Sequence, residues 1–254
     1  MIAGSAIGFV FRRLPQTSRN IFAKDFSFEL ARVSFLYMLW RLAMKLPLDQ
    51  PAGAIARAHK IVKIQQFFGL PDELSIQHLV LHSDWLARAT NFYYAVFHVP
   101  ATLAFLVWLF IRHRSAYPHW RNSLALLTAA CLVIRYIRVA PPRFLPELGY
   151  VDLATRFGLS VYGPVGTGVS DQFAAMPSIH VGWAAVVSLG IIATSPSKWR
   201  WLFGSHLIIT ILVVSATGHH WWLDGIVAIA ILIAALMLDT KWRLRNNSPQ
   251  SSNA

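Results

Sequence analysis

The chain has one cysteine, Cys131, among 254 residues. No intramolecular disulfide can form, and the place of Cys131 inside an apolar run reads as that of a small packing residue. Charge is scarce as well. Asp, Glu, Lys and Arg make up 13% of the chain, about half of what a soluble domain carries. Acidic residues are the rarer sign, 11 against 23 Lys and Arg, for a net charge of +12. In a soluble protein that excess would point to nucleic acid. Here the basic residues sit in short clusters between apolar runs, so the expected partners are membrane lipids and not nucleic acid. There is no internal repeat and no low-complexity domain. A cleavable signal peptide is not expected, because Ile7 to Val10 precede Arg12 and Arg13 in the wrong order and over too short a run.

What is abundant is apolar sequence. Hydrophobic residues are 56% of the chain, and the mean hydropathy is +0.48. The expected class is an all-α, polytopic membrane bundle of about six transmembrane helices forming one domain. Five good spans lie near 90–111, 123–139, 175–194, 200–217 and 222–238. A poorer one lies near 27–46, weakened by Glu29 and Arg32, with Arg41 and Lys45 placed to snorkel. Pro100 should kink its helix. Between the first and second spans, 51–86 mixes Ile55, Ile61, Ile64 and Phe67 with Arg57, Lys60 and Lys63. Gly69-Leu70-Pro71-Asp72 interrupts that pattern, which predicts two short helices at the membrane interface. The expected organisation is a cytoplasmic segment 1–26, a catalytic membrane domain 27–240 and a disordered polar tail 241–254.

Basic clusters orient the bundle. Arg12, Arg13, Arg19 and Lys24 come first. Arg112, Arg114 and Arg121 follow, then Lys198 and Arg200, then Lys241, Arg243 and Arg245. Six spans put all of them on one side, the cytoplasmic one. Three polar segments then meet on the opposite face: Ala140-Pro141-Pro142-Arg143, Pro177-Ser178-Ile179-His180, and His220 with Asp224.

Those residues suit phosphoryl transfer. Arg143 offers a planar fork to phosphate oxygens. Ser178 and backbone N–H groups at a helix start can hold an anion, with Pro177 suited to the first turn. His220 and Asp224 are four apart and share a helical face. A carboxylate on one imidazole nitrogen fixes the tautomer and leaves the other nitrogen nucleophilic. His180 can protonate the leaving alkoxide. Taken singly, each has an ordinary reading: a structural histidine, a solvated loop arginine, a helix cap. Converging on one predicted face, they read as a catalytic set.

Pro177-Ser178-x-His180 and the His220-x-x-x-Asp224 pair resemble the type 2 phosphatidic acid phosphatase superfamily of membrane lipid phosphatases over residues 90–238, while the fuller run Phe-Ala-Ala-Met-Pro-Ser-Ile-His at 173–180 is similar to one branch of that superfamily. The resemblance implies His220 as nucleophile, Asp224 as its orienting partner, His180 as general acid, and no metal or other cofactor. Two departures stand out. Where that family's first motif has Lys and Arg-Pro, this chain has Tyr136 and Arg143-Phe144. Where its last motif opens with Ser-Arg, this chain has Val213 and Val214. Ala-Pro-Pro-Arg, Asn91-Phe92-Tyr93-Tyr94 to His98, and Gly149-Tyr150-Val151-Asp152 are similar instead to the branch of inositol phosphorylceramide synthases and bacterial homologues. The resemblance therefore implies a plasma-membrane lipid phosphatase with an extracytoplasmic site. A phosphotransferase to an alcohol such as inositol is the first alternative, and a non-catalytic lipid-binding or transport protein the second. His98 is left as site-lining or structural, and His219 as bystander or second acid.

Overall fold

A computed structural model describes residues 16–43, 53–157 and 172–247. It divides into two compact units, Met1–Met44 and Lys45–Ala254. Among its described residues the first holds α1 (Gln16–Ala43). It begins eleven residues before the expected span at 27 and is not among the helices apolar enough to cross a membrane. Lys24, Asp25, Glu29, Arg32 and Arg41 distribute charge along its length, and Arg32 pairs with Glu29 one turn away. The readings placed on Ile7 to Arg13 and on Lys45 fall outside the described residues.

The second unit is built from α2 (Ala54–Phe67), α3 (Glu73–Leu81), α4 (Asp84–Val96), α5 (His98–Arg112), α6 (Tyr117–Ile134), α7 (Leu153–Phe157), α8 (Ile179–Thr194), α9 (Gly204–Ala216) and α10 (Trp222–Asn247). Short 3₁₀ turns occur at Pro142–Phe144, Pro146–Leu148 and Lys198–Phe203. Among the described residues there is no strand, only an isolated bridge between Val139 and Ala174. The fold is the expected all-α bundle. The expected count of about six spans is not confirmed: among the described residues two helical stretches are long and apolar enough, Lys198–Ala216 and Trp222–Asn246, or three if α4 and α5 count as one bent span.

Sequence accounts for the difference at each helix. Pro100 has no N–H and its ring crowds the carbonyl four residues back, at Val96. The helix breaks there, and α4 and α5 meet at a 51° bend. α6 opens on Tyr117-Pro118-His119-Trp120-Arg121-Asn122, too polar for a span, and ends at Ile134 before the extended residues 138–140. α8 starts at Ile179, because Ser178 caps it: the Ser178 hydroxyl accepts from Val181 N–H at 3.4 Å. Pro177 therefore precedes the helix and does not occupy its first turn. α10 runs past Lys241 to Asn247, so the expected disordered tail is helical that far. Asp239 accepts from His119, Asn122 and Arg243 and ties this end of α10 to α6. Residues 248–254 lie outside the described residues.

In 51–86 two short helices form, α2 and α3. Gly69 at φ 65° and the Asp72 cap on Leu74 N–H separate them. α8 is the centre of the second unit and packs on α5, α6, α9 and α10. Its Val, Ala and Gly residues are buried along most of its length, and small residues let neighbouring helices approach closely. A Cβ at Gly190 would lie 2.2 Å from the Phe105 ring of α5. Trp183 Nε1–H donates to Thr128 Oγ1 of α6 at 3.0 Å.

Candidate active site

The residues singled out above collect where α8 and α10 begin and α9 ends. α9 stops at Ala216, and Gly218 turns the chain with φ 69°. The N–H groups of His219 and His220 both return to the Val214 carbonyl, at 3.1 and 3.2 Å. Trp221 N–H then donates to Asp224 Oδ2 at 2.8 Å and opens α10. The Trp221 ring, 1% exposed, donates from Nε1 to Ala140 O at 2.9 Å. The segment carrying His220 is thus held at both ends by its own backbone and by a buried indole.

The other segments are tied to it through main chain. Ser178 N–H donates to Asp224 O at 3.1 Å. Arg143 N–H donates to Gly218 O at 2.9 Å. Val139 pairs with Phe173 and Ala175 across the isolated bridge. Ala175 O in turn accepts from His220 Nδ1 at 2.7 Å.

His220 is 5% exposed and Asp224 is fully buried. Asp224 Oδ2 lies 3.5 Å from His220 Nδ1, so the shorter bond on that nitrogen is the Ala175 carbonyl. A carbonyl can only accept, and this fixes the tautomer with the proton on Nδ1. The Nε2 atom is buried with no hydrogen-bond partner among the described residues. The His180 ring is 5.7 Å from the His220 ring, and its Nδ1 is likewise buried without a partner among them.

Arg143 is buried, with Nε 3.6 Å from Asp152 Oδ2. Its cation acts on His219. Burial, reinforced by that charge, holds the His219 imidazole well below the ordinary histidine range, so it is neutral at pH 7. His219 stacks on Tyr94 at 4.0 Å, and Tyr94 lies 4.4 Å from His180. All five expected site residues, His180, His220, Asp224, Arg143 and Ser178, therefore belong to one connected region. The Ser178 hydroxyl oxygen and N–H serve as cap and tie, which leaves its O–H hydrogen as the group that can reach a ligand.

The sequence reading missed Tyr94, the Ala175 carbonyl and Asp152 as members of the site. A backbone carbonyl has no sequence signal. Asp152 and Tyr94 lay in stretches noted only for their resemblance to a branch. The bend at Pro100 brings His98 to 4.5 Å from His180, against the site and not merely within a span. The places of the missing cations are also explained. Tyr136 is exposed, whereas Val213 and Val214 are buried beside Tyr94 and Val181.

Gly218 is where a substitution should register most directly on the scaffold. A Cβ there would lie 3.3 Å from Arg143 N, Arg143 Cβ and Gln77 Nε2, on a backbone at positive φ. Gly218→Ala is expected to destabilise the protein by about 1–2 kcal/mol from backbone conformation alone. A thermal-shift measurement in detergent reads this, and an unchanged midpoint would contradict it.

Buried histidines, an aspartate and an arginine thus gather at one end of an apolar helical bundle. A family model described as the PAP2 superfamily matches residues 59–238, and the chain belongs to that superfamily. Its function is accordingly of the phosphatase or phosphotransferase type. No curated protein and no solved structure is significantly similar to the chain.

Proposed function

We propose that the protein is a membrane lipid phosphatase working through phospho-His220. The observation that carries this reading is the state of the His220 ring. One nitrogen is held by Ala175 O and faces Asp224, while the other is buried, without a partner among the described residues, and next to His180. In the first step the Nε2 lone pair attacks phosphorus and the P–O bond to the lipid alcohol breaks. His180, which takes up a proton as the anionic phosphate enters beside it, gives that proton to the leaving oxygen. In the second step His180 takes a proton from water, the oxygen attacks phosphorus, and the P–N bond breaks to release phosphate. Arg143 and the N–H groups opening α8 stabilise the equatorial oxygens. No metal is required by this scheme.

The lipid nature of the substrate is supported by a cavity of about 160 Å³ lined by Val181, Val214, Trp221, Trp222, Gly225 and Ile226, almost wholly apolar. It shares Val181 and Val214 with the packing around the site. The basic residues Arg112, Arg114, Lys198, Arg200, Arg243 and Arg245 lie at the helix ends away from His220. This supports an extracytoplasmic site, which we place in the plasma membrane as part of the same proposal. The Ala-Pro-Pro-Arg segment, similar to the inositol phosphorylceramide synthase branch, favours a second reading, in which an alcohol such as inositol replaces water in the second step.

Phosphate release from phosphatidic acid, a polyprenyl phosphate and a sphingoid-base phosphate, with the detergent-purified protein in EDTA, separates these readings. Release that persists in EDTA is the expected result. Release abolished by EDTA would overturn the metal-free scheme. Turnover seen only when inositol is added would replace the hydrolase with the transferase.

A further inference from the structure

α10 starts inside the protein, so its first N–H groups need acceptors that water cannot supply. The local sequence offers one, Asp224, which accepts from Trp221 N–H. The next two donors are served from far away in the chain. Trp222 N–H donates to Glu73 Oε1 at 2.8 Å, and Leu223 N–H donates to Gln65 Oε1 at 2.9 Å. Gln65 Nε2 donates to Glu73 Oε1 at 2.9 Å and locks the two caps together. Both side chains are buried, at 2% for Glu73 and 5% for Gln65. Asp72, beside Glu73, accepts from the Tyr150 hydroxyl at 3.3 Å. A further tie runs beneath: Gln77 Nε2 donates to Ala216 O at 2.9 Å, at the end of α9.

These bonds join α2 and α3 to the two helix ends that flank His220. We propose that Glu73 is a positioning residue for catalysis: with Gln65, it caps the first turn of α10 in trans and thereby sets where His220 Nε2 and Asp224 stand. The effect is transmitted by main chain. Trp222 N–H is fixed by Glu73, the adjacent Trp221 N–H by Asp224, and His220 is the next residue back. A negative group at a helix start is also favoured by the aligned peptide dipoles. Burial acts the other way and pushes the Glu73 carboxyl up from its ordinary range. The acceptor at Oε1 survives in either protonation state, so a neutral amide should do the same work.

This inference rests on the phospho-His220 reading, and its test carries a readout independent of that reading. Wild type, Glu73→Gln and Glu73→Leu are compared as full-length protein in detergent. Glu73→Gln keeps an oxygen at Oε1 and is expected to stay within about threefold of wild type in kcat. Glu73→Leu is expected to lose about 10²-fold in kcat with KM nearly unchanged, the signature of a displaced catalytic group. Amide hydrogen exchange at Trp222 and Leu223 should speed up in Glu73→Leu, with α8 unaffected. Full kcat in Glu73→Leu, or equal loss in both variants, would overturn the proposal. If the wild type releases no phosphate, the function reading fails by itself. Exchange then decides the clasp: faster exchange at 222–223 supports it, and unchanged exchange removes it. Should Glu73→Leu fail to fold, Gln65→Leu removes the Leu223 contact and the bond to Glu73 while leaving Glu73 on Trp222 N–H. It must lower kcat at an intact melting temperature; a normal kcat there would overturn the proposal.

Discussion

Replacing His220 with alanine is expected to abolish turnover while the protein still inserts and elutes from a sizing column as wild type does. The scheme routes both steps through one nitrogen. Nε2 forms the P–N bond and then yields the phosphoryl group, so no partial function survives its deletion. Uncatalysed phosphate monoester hydrolysis is slow enough that enzymes reach accelerations of up to ~10²¹. Without the covalent route only Arg143, His180 and binding remain, and the loss should be at least about 10⁴-fold and could approach the ~10⁶ seen on nucleophile deletion in a triad enzyme. The structural cost is small by comparison. The His220 ring is held by a hydrogen bond to Ala175 O, while the backbone ties to Val214 and Asp224 do not involve it. Rapid-quench labelling with a ³²P-lipid phosphate gives a second readout: acid-labile label on the wild type and none on His220→Ala. Substantial phosphate release by the mutant, or label retained on another histidine, would end the proposed mechanism.

The gathering of the candidate site residues was more legible in the sequence than the helix count was, and the reason is chemical. Ser, His, Asp and Arg beside apolar runs are conspicuous because such groups are costly to bury without use, and the structure places His180, His220, Asp224, Arg143 and Ser178 in one region. Span length is read from composition alone and depends on where helices break. Pro100 was visible, but the 51° bend it causes at Val96 is set by packing. The early end of α6 follows from Val139 pairing with Phe173 and Ala175, about thirty-five positions away, which no local pattern announces. The helical continuation to Asn247 depends on Asp239 reaching His119 and Asn122 of another helix. Glu73 and Gln65 were hidden for the same reason. In sequence they are an acidic residue at a helix start and one of two adjacent glutamines. Their meaning comes from donors about 150 residues later, at Trp222 and Leu223.

Asp224→Asn is expected to lower kcat by about 10²–10³-fold, less than the ~10⁴ lost in a serine-protease triad when its aspartate becomes asparagine. There, the aspartate alone selects the imidazole tautomer. Here Ala175 O accepts the Nδ1 proton at 2.7 Å, and Asp224 Oδ2 stands further off at 3.5 Å. A main-chain carbonyl is untouched by the substitution, so Nε2 stays unprotonated and nucleophilic. What disappears is charge. As the P–N bond forms, the imidazole becomes cationic, and a buried carboxylate at that distance stabilises it far more than an amide does. A loss of about 3–4 kcal/mol in the transition state corresponds to the stated range. The introduced amide can still accept from Trp221 N–H through its oxygen, so the opening of α10 should hold and KM should change little. A fall to the His220→Ala level would mean that Asp224, and not Ala175, fixes the tautomer. An unchanged kcat would reduce Asp224 to the cap of Trp221 N–H.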